Sequence, residues 1–219
     1  MNDPYSSQYG KHAQSAARRY SYGLRLNLVL QILDDNHCKD VLDIGSASGD
    51  YVVDLRSEGL AATCCDINRR RLREARSKDA TLQAVAANAE KLPFKAASFD
   101  AVMILNAFRY FSDPASVLNE CCRVTNDTVS LILIEHNRRC HDSLLVKLDV
   151  VRYYSTADIS ALLRTTNFEA VKKQMLFVPP AVNSQHLLAL TIRTAERFSS
   201  AFECIYHEFL VLAKKRESR

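Results

Sequence analysis

Val41-Leu42-Asp43-Ile44-Gly45-Ser46-Ala47-Ser48-Gly49 decides how the rest of this chain is read. An apolar run carries one carboxylate, breaks into a glycine-spaced turn, and is followed by a helix-competent segment from Asp50 to Arg56. Glycine supplies torsions and clearance that let backbone approach a ligand closely. The next short apolar run ends in a second carboxylate, Asp66. In doubly wound α/β folds, an acid at the tip of the second strand accepts hydrogen bonds from ribose hydroxyls. The two acids and the turn together predict a nucleoside lying across the carboxyl ends of the first two strands.

Outward from that turn, the chain alternates strand and helix without an internal repeat. A helix over about residues 11–33 precedes it, with Ala13, Ala16, Ala17, Tyr20, Leu24, Leu28 and Ile32 near one face. Strands are predicted over 41–44, 61–65, 82–86, 101–105, 128–135, 170–177 and 205–213. Gly59 suits a left-handed helix end. Asp113 before Pro114 reads as an N-cap followed by proline at the first helical position. Ser155 with Asp158 resembles a capping box. Pro179-Pro180 stops strand six, and an amphipathic helix is expected over about 184–198. This alternation predicts an α/β fold, a doubly wound parallel sheet with helices on both faces.

Composition narrows the class. The 219 residues suffice for a full core, and 47% are hydrophobic. The mean hydropathy is −0.16, and no apolar run approaches the roughly 18 residues of a membrane span. The polar start, Met1 to Lys11, has no apolar segment of the secretory kind, so a cytoplasmic protein is expected. Seven cysteines, an odd number without C-x-x-C spacing, read as reduced and mostly buried. Arg69, Arg70, Arg71, Arg73 and Arg76 on one helix read as a solvated face rather than a nucleic-acid patch. His136, Cys140 and His141 lack a fourth metal partner, and no metal is expected.

These residues carry a family resemblance. The chain resembles class I S-adenosylmethionine-dependent methyltransferases, in the small-molecule group of the ubiquinone-biosynthesis enzymes. Val41 to Gly49 resembles the first motif of that family, and Thr63-Cys64-Cys65-Asp66-Ile67 the second. Asn88-Ala89-Glu90-Lys91-Leu92-Pro93-Phe94, then Ser98-Phe99-Asp100, is similar to the lead-in to strand four. Phe111 to Val124 and Tyr154 to Phe168 are similar to the two helices that follow.

The resemblance implies a Rossmann-like, seven-stranded, mostly parallel sheet with an antiparallel last strand. It implies a methyltransferase domain over 39–219, an N-terminal helical lid over 1–38, and a helical insertion over 178–200. S-adenosylmethionine is the implied cofactor, held by the turn Gly45, Ser46, Ala47 and Gly49. Asp43 would face its ammonium, Asp66 its ribose, Ile67 and Ala89 its adenine, and Asn106 the neighbourhood of the sulfonium. Asn88 stands where the family often has Asp, and Ala47 replaces the middle glycine. The implied reaction is in-line methyl transfer to a small-molecule or lipid- or glycan-precursor acceptor. His136 and Tyr153 or Tyr154 are the candidates for a general base.

Two other classes fit parts of the pattern. One is a degenerate S-adenosylmethionine-binding module acting as partner or regulator. The other is a nicotinamide-dependent oxidoreductase, against which the turn lacks the G-x-G-x-x-G that pyrophosphate requires. Asn106-Ala107-Phe108-Arg109 is not the N-P-P-Y type of amino-group methyltransferases, which steers away from nucleic acid. The tail beyond Phe177 is expected to hold substrate choice, a peripheral membrane contact or a homodimer surface.

Overall fold

In the computed structural model, residues 16–126, 131–137, 152–176 and 208–216 are described. Seven strands form one sheet: β1 Asp40–Ile44, β2 Ala61–Asp66, β3 Gln83–Ala86, β4 Ala101–Leu105, β5 Leu131–His136, β6 Phe168–Leu176 and β7 Glu208–Lys215. Their order is β3-β2-β1-β4-β5-β7-β6. β1 pairs in parallel with both β2 and β4, and β4 in parallel with β5. β7 runs antiparallel between β5 and β6. The strand order therefore reverses between β1 and β4, and such a switch point opens a crevice beyond the carboxyl ends of the strands.

The central strands are buried on both faces, and alternate residues feed two apolar layers. Leu42, Ile44, Val102 and Ile104 pack with Val117, Leu118 and Cys121 of α4 (Pro114–Val124) and with Ile159 and Leu163 of α5 (Thr156–Arg164). Val41, Met103, Ile132 and Ile134 turn the other way. They meet Val29, Ile32 and Leu33 of α1 (Ala16–Asp35), Val52 and Leu55 of α2 (Asp50–Ser57), and Leu72 and Ala75 of α3 (Arg69–Lys78). Continuous apolar runs such as Leu-Ile-Leu-Ile in β5 are what a strand covered on both sides demands.

Local chemistry sets the element ends. The Asn68 side chain accepts from the amides of Arg70 and Arg71 and opens α3. Asp113 does the same for α4, with Pro114 in its first turn, and Ser155 and Asp158 form a reciprocal capping box on α5. Gly59 follows α2 with a φ of 86°.

One expectation needs correction. Of the residues expected on the inward face of α1, Ala16 and Ile32 are buried but Tyr20, Leu24 and Leu28 are only half-buried, and Val29 and Leu33 join the core beside Ile32. Leucines at 24, 26, 28 and 30 surround this helix with apolar surface, so periodicity alone selects no face. Strand five is described from Leu131 and the last strand from Glu208; residues 127–130 and 205–207 and the predicted helix over 184–198 lie outside the described residues.

Candidate active site at the carboxyl ends of β1, β2, β4 and β5

The turn after β1 is built from residues in the left-handed region: Gly45 at φ 75°, Ala47 at 49° and Gly49 at 70°. Space also demands glycine at two of these positions. A Cβ on Gly45 would lie 2.4 Å from the Ala107 Cβ, and one on Gly49 would lie 2.8 Å from the Ala75 Cβ and 2.9 Å from the Cys64 Sγ. Both glycines are thus required by the protein's own packing, before any ligand is considered. Ala47 takes the strained torsion without that freedom, and its amide donates to the Asp66 Oδ2 at 2.8 Å.

Asp66 closes β2 and crosses back to this turn. Its second oxygen accepts from the Asn68 amide at 2.8 Å. A carboxylate has about four acceptor positions, so half of its capacity remains for hydroxyl donors. Beside it Ile67 is 75% exposed, an uncovered apolar side chain suited to lie against a base. Asn88 is exposed and turns its Oδ1 to the Glu90 amide at 3.0 Å, while Ala89 is buried next to it. Ser46 is buried and its hydroxyl donates to the Cys65 carbonyl.

Asp43 lies inside β1, nearly sealed from solvent. Burial, and then the neighbouring charge of Asp66, push its carboxyl up to about 8. A cation placed against Asp43 would reverse both effects, because it stabilises the carboxylate that burial disfavours. This acid, the spare acceptor positions of Asp66 and exposed Ile67 fit a ligand with an ammonium group, a ribose and a base. That is the donor set of S-adenosylmethionine.

Asn106 follows β4 in the left-handed region, with φ 56°. Its Nδ2 donates to Glu208 Oε1 at 3.0 Å, while its Oδ1 is buried with no hydrogen-bond partner among the described residues. Glu208 is fully buried and grips Arg25 of α1 through both oxygens, at 2.6 and 2.8 Å. Burial, the largest single influence, would lower the Arg25 pKa; the charges and hydrogen bonds of Glu208 and Tyr51 together outweigh it and leave the pKa raised. Arg25 Nη1 also reaches the Tyr51 hydroxyl at 3.3 Å, and Tyr51 stacks on Tyr22 with ring centroids 4.5 Å apart. His136 ends β5 with its Nε2 3.7 Å from Glu208 Oε1.

A second buried pair lies alongside. Arg109 Nη2 is 3.4 Å from Glu135 Oε1, and the Arg109 amide donates to the other oxygen at 3.2 Å. Burial pushes the Glu135 pKa up more strongly than Arg109 draws it down. The Arg109 guanidinium also lies over the rings of Tyr110 and Tyr153, 5.3 and 5.6 Å from their centroids. Tyr154 is buried with its ring 5.2 Å from Phe108, and burial raises its pKa.

Apart from Tyr154, which packs on Phe108, the sequence-predicted residues therefore fall into three groups. Asp43, Gly45, Ser46, Ala47, Gly49, Asp66 and Ile67 surround one turn. Asn106 and His136 meet at Glu208 instead, while Asn88 and Ala89 follow β3. The sequence reading missed Arg25, Arg109, Glu135 and Glu208. A signal was present: Glu135 and Glu208 are acids directly attached to the apolar runs of predicted strands, where a charge needs a buried partner. Cys140 and His141 of the discarded metal triplet lie outside the described residues.

Comparison with known proteins bears on the family and the fold. Residues 42–133 match a family model described as a methyltransferase domain. This stretch is similar to methyltransferase domains. A demethylmenaquinone methyltransferase from Beutenbergia cavernae is 34% identical over 95 residues, covering 43% of this chain and 40% of that protein. A ubiquinone/menaquinone biosynthesis C-methyltransferase from Rickettsia bellii is 32% identical over 128 residues, covering 53% of this chain and 50% of its own length. The chain thus spans about half the length of the curated relatives it matches. Among solved structures, a methyltransferase of Thermotoga maritima, described as S-adenosylmethionine-dependent and a possible histamine N-methyltransferase, superposes with a TM-score of 0.64. It is 21% identical, with 92% of this chain and 91% of that one covered, a likeness of fold alone.

Proposed function

We propose that this chain transfers a methyl group from S-adenosylmethionine to a small-molecule acceptor. The observation that carries the reading is the pairing of the buried acid Asp43 with the tip acid Asp66 around the left-handed turn from Gly45 to Gly49. That turn lies at the strand-order reversal, with the carboxamide of Asn106 one strand away. S-adenosylmethionine supplies a methyl group on a sulfonium, ready for displacement by a nucleophile.

The residues of the chain hold and orient. Asp66 accepts from ribose hydroxyls, and Asp43 faces the ammonium. Gly45, Ser46, Ala47 and Gly49 line the methionine end, while Ile67, Asn88 and Ala89 frame the adenine. Asn106 borders the reacting methyl. Alignment of this kind contributes roughly 7–11 kcal/mol in favourable intramolecular models. His136, held beside Glu208, is the proposed proton acceptor for an oxygen or nitrogen nucleophile, and Tyr154 is the alternate. The quinone-biosynthesis names of the curated relatives support a small, largely apolar acceptor.

Calorimetric titration with S-adenosylmethionine, S-adenosylhomocysteine and NADH tests the cofactor. Micromolar binding of the two sulfur nucleosides without NADH is expected. Asp66→Ala should weaken that binding about 10- to 100-fold, the loss of hydrogen bonds to a charged acceptor. Unchanged affinity in this variant would overturn the placement of the ribose.

A further inference from the structure

Glu208 stands 183 residues from Arg25 and 102 from Asn106 in sequence, yet one carboxylate oxygen, Oε1, serves both. We propose that Glu208 is a positioning residue that couples the seating of helix α1 to the orientation of the Asn106 carboxamide. The inference rests on the cofactor reading above and goes beyond it, because Glu208 itself touches no ligand in that reading.

The physical argument begins with direction. A carboxylate only accepts hydrogen bonds, so Asn106 must offer Glu208 its NH2 end. Its carbonyl Oδ1 is thereby turned away from Glu208, and that atom is buried without a partner among the described residues. Asn106 holds this arrangement at a φ of 56°, where few residues other than glycine rest, so the side-chain bond also secures a strained backbone. The segment lies against the nucleoside turn, since the adjacent Ala107 Cβ occupies the space that a Gly45 side chain would need.

On its other side, Glu208 takes the two-pronged grip of Arg25, the inward-facing cation of α1, whose guanidinium also contacts Tyr51 in the first turn of α2. Loss of that grip changes what Glu208 asks of Asn106. With its cation gone, the carboxylate is free to reorient, and the carboxamide loses the fixed acceptor that kept Oδ1 aimed toward a ligand. By linkage, whatever Asn106 Oδ1 binds must then favour a seated α1, and a seated α1 must favour binding.

A double-mutant cycle on binding of S-adenosylhomocysteine to the full chain tests this. Glu208 variants remove the shared acceptor of Arg25 and Asn106 at once, so Arg25→Met and Asn106→Ala, which separate the two arms, are the useful pair, each checked for a cooperative thermal transition. Arg25→Met is expected to weaken binding about fivefold in the wild-type background and to have no effect in Asn106→Ala, a coupling at the lower end of the usual allosteric range. If Arg25→Met does not fold, Arg25→Lys keeps the cation without the two-pronged grip, and the same dependence on Asn106 is expected. A structural role alone would leave the two affinity effects additive, and additivity would overturn the coupling. Failure of the wild-type protein to bind S-adenosylhomocysteine would overturn the cofactor reading, and the coupling with it.

Discussion

The two halves of the crevice are made by different means. At β1 and β2, the site is local: a strand, a left-handed turn and an acid that folds back to the amides of Ala47 and Asn68. At β4, β5 and β7, it is built from buried charges brought together across the chain, Arg25 with Glu208 and Arg109 with Glu135. Local backbone geometry tolerates the loss of one side chain better than a buried ion pair does. Removing one partner of such a pair leaves an uncompensated charge in a low-dielectric interior. The nucleoside half should therefore fail in affinity when mutated, and the acceptor half in stability.

The largest effect expected from this contrast is at Glu208. Glu208→Ala strands Arg25, whose side chain is only 14% exposed, and takes a partner from Asn106. Denaturant unfolding should show a loss of about 3–5 kcal/mol, the usual cost of breaking a buried pair from one side. A loss below about 1 kcal/mol would place this pair with surface salt bridges and erase the distinction between the two halves.

The same contrast explains what could be read from the amino-acid sequence. The turn from Asp43 through Gly45 to Gly49 was legible because those residues lie within one short stretch, and Asp66 because it closes the next apolar run; the capping of α4 by Asp113 and of α5 by Ser155 is equally local. β4 was predicted with its observed ends, Ala101 and Leu105, because an unbroken apolar run between Asp100 and Asn106 has one reading. Arg25 was not legible, since leucines on every side of α1 conceal which face turns inward, and its partner lies in the last strand. The 3₁₀ turn Phe108–Tyr110 was also missed, although it sets Arg109 against Glu135. Nothing local marks that arginine as buried; only the fold brings its counter-charge to it.

A pH series sharpens the comparison from the nucleoside side. The Asp43 carboxyl titrates near 3.8 in an unfolded chain and is pushed up to about 8 by burial and by Asp66. Between those values the folded state holds a proton that the unfolded state has released. The contribution of Asp43 to stability is therefore intact below pH 3.8 and is lost as pH rises toward 8, with a slope of up to about 1.4 kcal/mol per pH unit. Comparing ligand-free wild type with Asp43→Asn by denaturant unfolding across this window isolates that slope. A ligand ammonium should draw the proton off, so binding of S-adenosylhomocysteine near pH 7 is expected to release a proton, detected as a buffer-dependent binding enthalpy. Identical pH profiles for wild type and Asp43→Asn would show that Asp43 is ionised in the ligand-free protein, and the proposed ammonium site would lose its electrostatic basis.

The smallest effect concerns Ala47, where the family pattern has glycine and this chain holds an alanine at φ 49°. A left-handed torsion costs a residue with a Cβ roughly 1–2 kcal/mol. Glycine removes that cost but gives back roughly 0.5–1 kcal/mol through the greater freedom of the unfolded chain. Ala47→Gly should therefore stabilise the protein by about 0.5 kcal/mol, the small remainder of two opposing terms. Its effect on binding separates two roles for the methyl. If the Ala47 side chain crowds the methionine end of the cofactor, affinity for S-adenosylmethionine rises in Ala47→Gly beyond what the stability gain accounts for. If affinity is unchanged while stability rises, the turn is set by the amide of Ala47 on Asp66, and the side chain faces away from the ligand. Either result separates the backbone contribution of this turn from its side chains, a separation that the buried pairs at β5 and β7 do not allow.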